Sequence, residues 1–162
     1  MSANRQPVLQ TVPEAPGLLC RTPKDTLAKL DYALQPVVDI GTGVVYGYEA
    51  QIRNCDLVGA QSPDELIDFA HAEGYLPQLE AHLLEKAMNR FGRLKIAQGT
   101  KLYFKLDGRD LGQDNDPRMR LAGLVAEAGL QVNQICLEFS ERHQQTFTDV
   151  THHAVNDLRQ LG

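Results

Sequence analysis

In this 162-residue chain, the side chains best placed to do chemistry are charged groups carried by short apolar strands. Over Val44 to Arg53 the two-residue strand period puts Glu49, Gln51 and Arg53 on one face, with Tyr46, Tyr48, Ala50 and Ile52 on the other. The same period over Lys101 to Asp107 sets Tyr103, Lys105 and Asp107 against Leu102, Phe104 and Leu106. Glu138 stands opposite Leu137 and Phe139 within Ile135 to Ser140. Crossover helices outside a parallel sheet align the strand C-termini at one edge, where α/β folds keep their chemistry. Glu49, Lys105 and Glu138 are expected to converge there.

Other chemistries lack their residues. His71, His82, His143, His152 and His153 form no zinc spacing such as H-E-x-x-H. Cys20, Cys55 and Cys136 are odd in number and widely spaced, which reads as reduced, cytosolic and unpaired thiols rather than a disulfide framework or a zinc module. The sequence contains no GxGxxG, P-loop or nucleophile elbow. Sixteen basic against 21 acidic residues, a net charge of −5 and no basic stripe argue against nucleic acid as a partner.

The elements that must hold the charged residues are legible from periodicity. Leu34 to Ile40 and Val44 to Arg53 read as two strands joined by the Gly41-Thr42-Gly43 turn. Ser62-Pro63-Asp64-Glu65 opens a helix that ends near Gly74. A second helix from Pro77 repeats Leu79, Leu83, Ala87 and Phe91, widened by Leu76, Leu84 and Met88, which is a core-facing stripe. A helix over Arg118 to Ala128, closed by Gly129, precedes the Ile135 strand, and a last helix uses Val150, Ala154, Leu158 and Leu161. Residues 1–28 hold Pro7, Pro13, Pro16 and Pro23 without periodicity and read as an extended arm or linker, leaving 29–162 as one domain. The first twenty residues carry Arg5, Pro7, Pro13, Glu14 and Pro16 where a secretory segment would be apolar, and no apolar run approaches the roughly 20 residues of a membrane span. The expectation is a cytoplasmic α/β chain.

Four ordered stretches carry a family resemblance. They are Tyr32-Ala33-Leu34-Gln35-Pro36-Val37-Val38-Asp39, Gly47-Tyr48-Glu49-Ala50-Gln51-Ile52-Arg53, Leu102-Tyr103-Phe104-Lys105-Leu106-Asp107-Gly108-Arg109 and Leu137-Glu138-Phe139-Ser140-Glu141-Arg142. Together they resemble the N-terminal part of an EAL domain, the family that hydrolyses cyclic di-GMP. The Leu-Asp-Gly-Arg and Ser-Glu-Arg-His stretches resemble most the group whose EAL domain precedes CBS and GGDEF domains, although this chain contains no CBS or GGDEF sequence. The resemblance implies a partial TIM-like (β/α) barrel, about its first half.

It also implies roles. Glu49 and Glu138 match metal-binding glutamates, a sensible chemistry because Mg²⁺ and Mn²⁺ prefer hard oxygen ligands and bridge substrate phosphates. Gln35 and Arg53 match positions that contact the dinucleotide, and an Arg fork suits a phosphate. Asp107 and Glu141 stand beside these positions as supporting carboxylates. The departures are as informative. Lys105 replaces an asparagine that gives the metal an oxygen, and an ammonium has donors only. Gln51 replaces the leucine of the signature.

A closed barrel needs ~250 residues, and about 130 follow the arm. The sequence stops before the family's Asp-Asp-Phe-Gly stretch, so its paired aspartates, later lysine and catalytic glutamate are absent from it. Two-metal hydrolysis needs both ions. The expectation is therefore a truncated, degenerate EAL-type domain in cyclic di-GMP signalling, inactive as this chain and holding no tight metal, acting as a regulatory or interaction module. Two alternatives stay open: a metal-dependent phosphodiesterase completed by further sequence, and a non-catalytic cyclic di-GMP receptor. Unpaired strand edges of a half-barrel predict a homo-oligomer or contact with other signalling domains.

Overall fold

The computed structural model describes residues 23–94, 99–109, 111, 117–140, 142 and 149–162. A hairpin comes first, formed by β1 (Asp31–Val38) and β2 (Val45–Arg53), paired antiparallel with Gln35 opposite Glu49 and Ala33 opposite Gln51. Its turn is organised by Asp39, whose carboxylate accepts from the Gly41 and Thr42 amides at 2.9 and 2.8 Å and from the Thr42 hydroxyl at 3.0 Å. These bonds, the Thr42 amide foremost, hold the Asp39 carboxyl below its ordinary range. Pro36 is tolerated because β1 is an edge strand among the described residues.

The sheet continues with β3 (Lys101–Leu106) and β4 (Ile135–Phe139), both parallel to β2, in the order β1-β2-β3-β4. Glu49 pairs with Tyr103 in register, and Lys105 with Glu138. Among the described residues three α-helices separate the parallel strands: α2 (Pro63–Ala72) and α3 (Leu76–Gly92) before β3, and α4 (Pro117–Glu127) before β4. α5 (Asp149–Arg159) follows. The Ser62 hydroxyl caps α2 by accepting from the Glu65 amide at 3.2 Å, with Pro63 opening the first turn.

The core lies between one face of the sheet and α3. All seven residues of the expected stripe, Leu76, Leu79, Leu83, Leu84, Ala87, Met88 and Phe91, are buried. They meet Tyr32, Ala50, Leu102, Phe104 and Leu106 from the strands, with the Tyr32 and Phe104 rings 5.8 Å apart and the Tyr48 and Phe91 rings 6.2 Å apart. Each large side chain so buried contributes about 1.5–3 kcal/mol. An α/β arrangement, a four-stranded mixed sheet covered on one face by α3, is therefore what forms.

Two local expectations need correction. Residues 23–28, read as the end of an extended arm, belong to a short helix, α1 (Pro23–Lys29). The Lys86 ammonium on α3 donates to the Leu27 and Leu30 carbonyls at 3.1 and 2.6 Å, while Thr26 and Leu30 are buried, so a distant side chain stabilises a helix that local periodicity does not announce. On α5, Val150 points to solvent at 57% exposure, and Thr151 takes its place beside Ala154. Thr151 is two full turns before Leu158 and one before Ala154, nearer the centre of their shared face than Val150. Residues 1–22 and Glu141 lie outside the described residues.

Candidate functional site

The face of the sheet turned away from α3 carries the polar residues. Gln35 on β1, Glu49, Gln51 and Arg53 on β2, Tyr103 and Lys105 on β3, and Cys136 and Glu138 on β4 share it by register. None of them is fully buried, and Gln35, Arg53, Lys105 and Glu138 are exposed. Gly47 makes room at one end: a Cβ there would stand 2.5 Å from the Tyr103 ring and 3.1 Å from the Lys101 carbonyl. The Tyr103 ring meets Tyr46 edge-on at 6.3 Å. Burial, then Tyr46, Cys136 and Glu138, push the Tyr103 phenol up, and burial followed by Glu138 pushes the Cys136 thiol up.

Convergence of the three charged residues is partial. Lys105 and Glu138 are cross-strand neighbours, whereas Glu49 sits level with Tyr103 and one strand further away. The backbones of β2 and β4 are separated by two strand spacings, about 10 Å. Among the described residues Lys105 forms no ion pair or hydrogen bond, so it does not bridge the two carboxylates. Nor does any group of three or more His, Cys, Asp or Glu among them suit a metal ion. With a donor-only ammonium on the strand between Glu49 and Glu138, the side chains present do not fit a divalent cation.

Gln35 and Arg53 are brought together by Gln51, which the strand period placed on their face and the family resemblance marked as a departure. The Arg53 guanidinium donates through Nη2 to Gln51 Oε1 at 2.8 Å and through Nη1 to the Ile52 carbonyl at 3.0 Å. Gln51 Nε2 donates in turn to Gln35 Oε1. Gln51 and Arg53 are two residues apart on one face, and Gln35 is diagonal to Gln51 across the hairpin, which is within reach of long side chains.

Asp107 leaves this face. One residue past β3, with its side chain 3% exposed, it accepts from Arg109 Nε and from Nη2 at 3.0 Å, while its amide donates to Glu80 Oε1 at 2.7 Å. Arg109 also donates to Asp68 on α2 at 2.8 Å, and Arg142 reaches Asp68 at 2.7 Å and Asp64 at 3.2 Å. Partial burial works against the Asp68 carboxylate, but bonds from Arg142 and Arg109 outweigh it and hold its pKa below the ordinary range. The network clamps the segments after β3 and β4 onto α2. Arg109 and Arg142 lie in two of the resemblance stretches, yet nothing in their spacing points to Asp68.

With this geometry in place, comparison decides the family. The EAL domain model matches residues 25–162. The chain belongs to the EAL domain family. A curated relative, the probable cyclic di-GMP phosphodiesterase PdeI of Escherichia coli (strain K12), is 27% identical over 140 residues, covering 84% of this chain and 18% of PdeI. Among solved structures, Klebsiella pneumoniae BlrP1 in complex with calcium and cyclic di-GMP superposes at a TM-score of 0.70 with 25% identity, covering 83% of this chain and 33% of BlrP1. BlrP1 has also been solved with manganese and cyclic di-GMP. The EAL enzyme Bd1971, bound to cAMP and cyclic di-GMP, matches at a TM-score of 0.69 with 21% identity over 83% of this chain and 38% of its own, a likeness of fold. This EAL chain thus spans about a fifth of PdeI and a third of BlrP1. Among its described residues no helix is long and apolar enough to cross a membrane.

Proposed function

We propose that this EAL chain is a regulatory and interaction module in cyclic di-GMP signalling that does not hydrolyse the dinucleotide. The observation that carries the reading is Lys105, an ammonium in register with Glu138 on the strand next to Glu49. At about 4 Å, at an effective dielectric of about 20, such a charge opposes a cation by about 4 kcal/mol for each unit of the ion's charge. The module works in the cytoplasm, next to further signalling domains such as the CBS and GGDEF domains of the group it resembles. Calorimetric titration with cyclic di-GMP, with and without Mg²⁺ or Mn²⁺, joined to an assay for the linear dinucleotide, tests it. No linear product is expected; its accumulation in the presence of metal overturns the reading in favour of a phosphodiesterase.

A second reading, a receptor that binds the dinucleotide without cleaving it, is favoured by the tethered Arg53 and Gln35 on the exposed face. Glu49, Glu138 and Lys105 then lie on the binding face without holding an ion.

Self-association is part of the same proposal. Among the described residues β4 is paired only with β3, and a groove of about 460 Å³ beside it is lined by Ile135, Cys136, Phe139, Val155, Leu158 and Gly162. A second copy covering this edge makes light scattering report a dimer or larger species; a strict monomer at high concentration counts against it.

A further inference from the structure

We infer that Gln51 is a positioning residue which fixes the orientation of the Gln35 amide, so that Gln35 and Arg53 together present only hydrogen-bond donors to a phosphodiester ligand with an acceptor-rich base edge. The inference rests on the receptor reading above and deepens it. A guanidinium only donates, so the amide oxygen of Gln51 must face Arg53. Its amide nitrogen is then left to face Gln35, where it donates to Oε1. Gln35 is thereby oriented too, with its oxygen engaged and its own Nε2 turned to the open face, where it has no partner among the described residues. At the other end, Arg53 spends one N–H on the Ile52 carbonyl and one on Gln51, and keeps others for a phosphate. A leucine at position 51 could impose none of this order.

The consequence is a preference among bases. Guanine offers O6 and N7 as adjacent acceptors, whereas adenine places an N6 donor beside N7. An amide that shows only N–H therefore favours cyclic di-GMP over cyclic di-AMP. In Gln51→Glu the carboxylate can only accept, so Gln35 reverses and shows its oxygen, while Arg53 stays tethered. In Gln51→Leu both ends are released.

The test is titration of wild-type chain, Gln51→Leu and Gln51→Glu with cyclic di-GMP and cyclic di-AMP, with the side-chain N–H resonances of Gln35 and Arg53 followed by NMR before ligand is added. Gln51→Leu is expected to weaken cyclic di-GMP binding about tenfold, the scale of one lost hydrogen bond. Gln51→Glu is expected to lower the preference for cyclic di-GMP over cyclic di-AMP by about the same factor, with both variants unfolding at the wild-type midpoint. Unchanged affinity and preference in both variants overturn the inference and leave the receptor reading standing. If the wild type binds neither dinucleotide, the receptor reading and the proposed ligand fail. The positioning claim is then decided by NMR: displaced Gln35 and Arg53 resonances in ligand-free Gln51→Leu support it, and unmoved ones overturn it.

Discussion

Phe104 and Lys105 are chain neighbours on β3, yet Phe104 is 1% exposed within the helix-covered core and Lys105 is exposed on the opposite face. The covered face is apolar and closely packed against α3, with paired rings and no charged side chain at its centre. The open face carries Glu49, Gln51, Arg53, Lys105 and Glu138, and its order comes from a hydrogen-bonded chain rather than from packing. Stability therefore resides on the covered side of the sheet, and the open face carries the residues proposed for recognition, so residues there can change without unfolding the chain. Lys105 and Gln51 are the two positions on it that the family resemblance marks as departures.

The largest effect expected from breaking this contrast is on the covered side. Phe104→Ala should cost about 3–5 kcal/mol in urea unfolding, whereas Lys105→Ala should stay within about 0.5 kcal/mol of wild type. Comparable losses from the two would mean that the open face also carries fold stability. Asp107→Asn comes next. Asp107 and Arg109 have side chains 3% and 10% exposed, and removing one charge of a buried pair costs about 3–5 kcal/mol at most, less here because Arg109 retains Asp68. Denaturant midpoints for this variant, set beside Lys105→Ala, measure how much of the polar network is structural.

On the open face, Lys105→Asn removes the ammonium and supplies an oxygen. Its affinity for Mn²⁺ should rise at least about tenfold over wild type in calorimetry; equal affinities would show that Lys105 is not what opposes a cation. The smallest effect is electrostatic. The Asp68 carboxyl is held below its unfolded value, so its contribution to stability is fully present above an unfolded pKa of about 3.9 and is lost as the pH falls through the folded value. Asp68→Asn should lower the denaturation midpoint near neutrality and match wild type in strong acid, after allowance for the other titrating carboxylates; a constant difference at all pH values would remove ion pairing as its cause.

Much of the covered side was legible in advance. The α3 stripe, the alternation along β2 from Gly47 to Arg53 and along β3 from Leu102 to Leu106, the Ser62 cap and the hairpin turn are all local: each depends on residues within about two turns of a helix or one strand, and a repeat of 3.6 or 2 residues states which side faces inward. The family signature was legible for the same reason, since its residues sit at fixed intervals on single strands. The open face was legible as a set of side chains but not as a set of contacts. Spacing placed Gln51 beside Glu49 and Arg53 without revealing that it joins Arg53 to Gln35, because that bond depends on hairpin register.

From its sequence alone this chain determined most of the residues that form its strands and longer helices, which faces are apolar, and which charges lie together on β2. Tertiary structure alone decided that α1 forms under Lys86, that Thr151 rather than Val150 faces inward, that Asp107 turns to Arg109 and Asp68, and that Lys105 stands level with Glu138 while Glu49 stands level with Tyr103. The physical reason is the range of the interactions. Periodicity is a property of neighbouring residues, whereas register, ion-pair partners and the choice between two adjacent helix positions are set by elements far away in the chain.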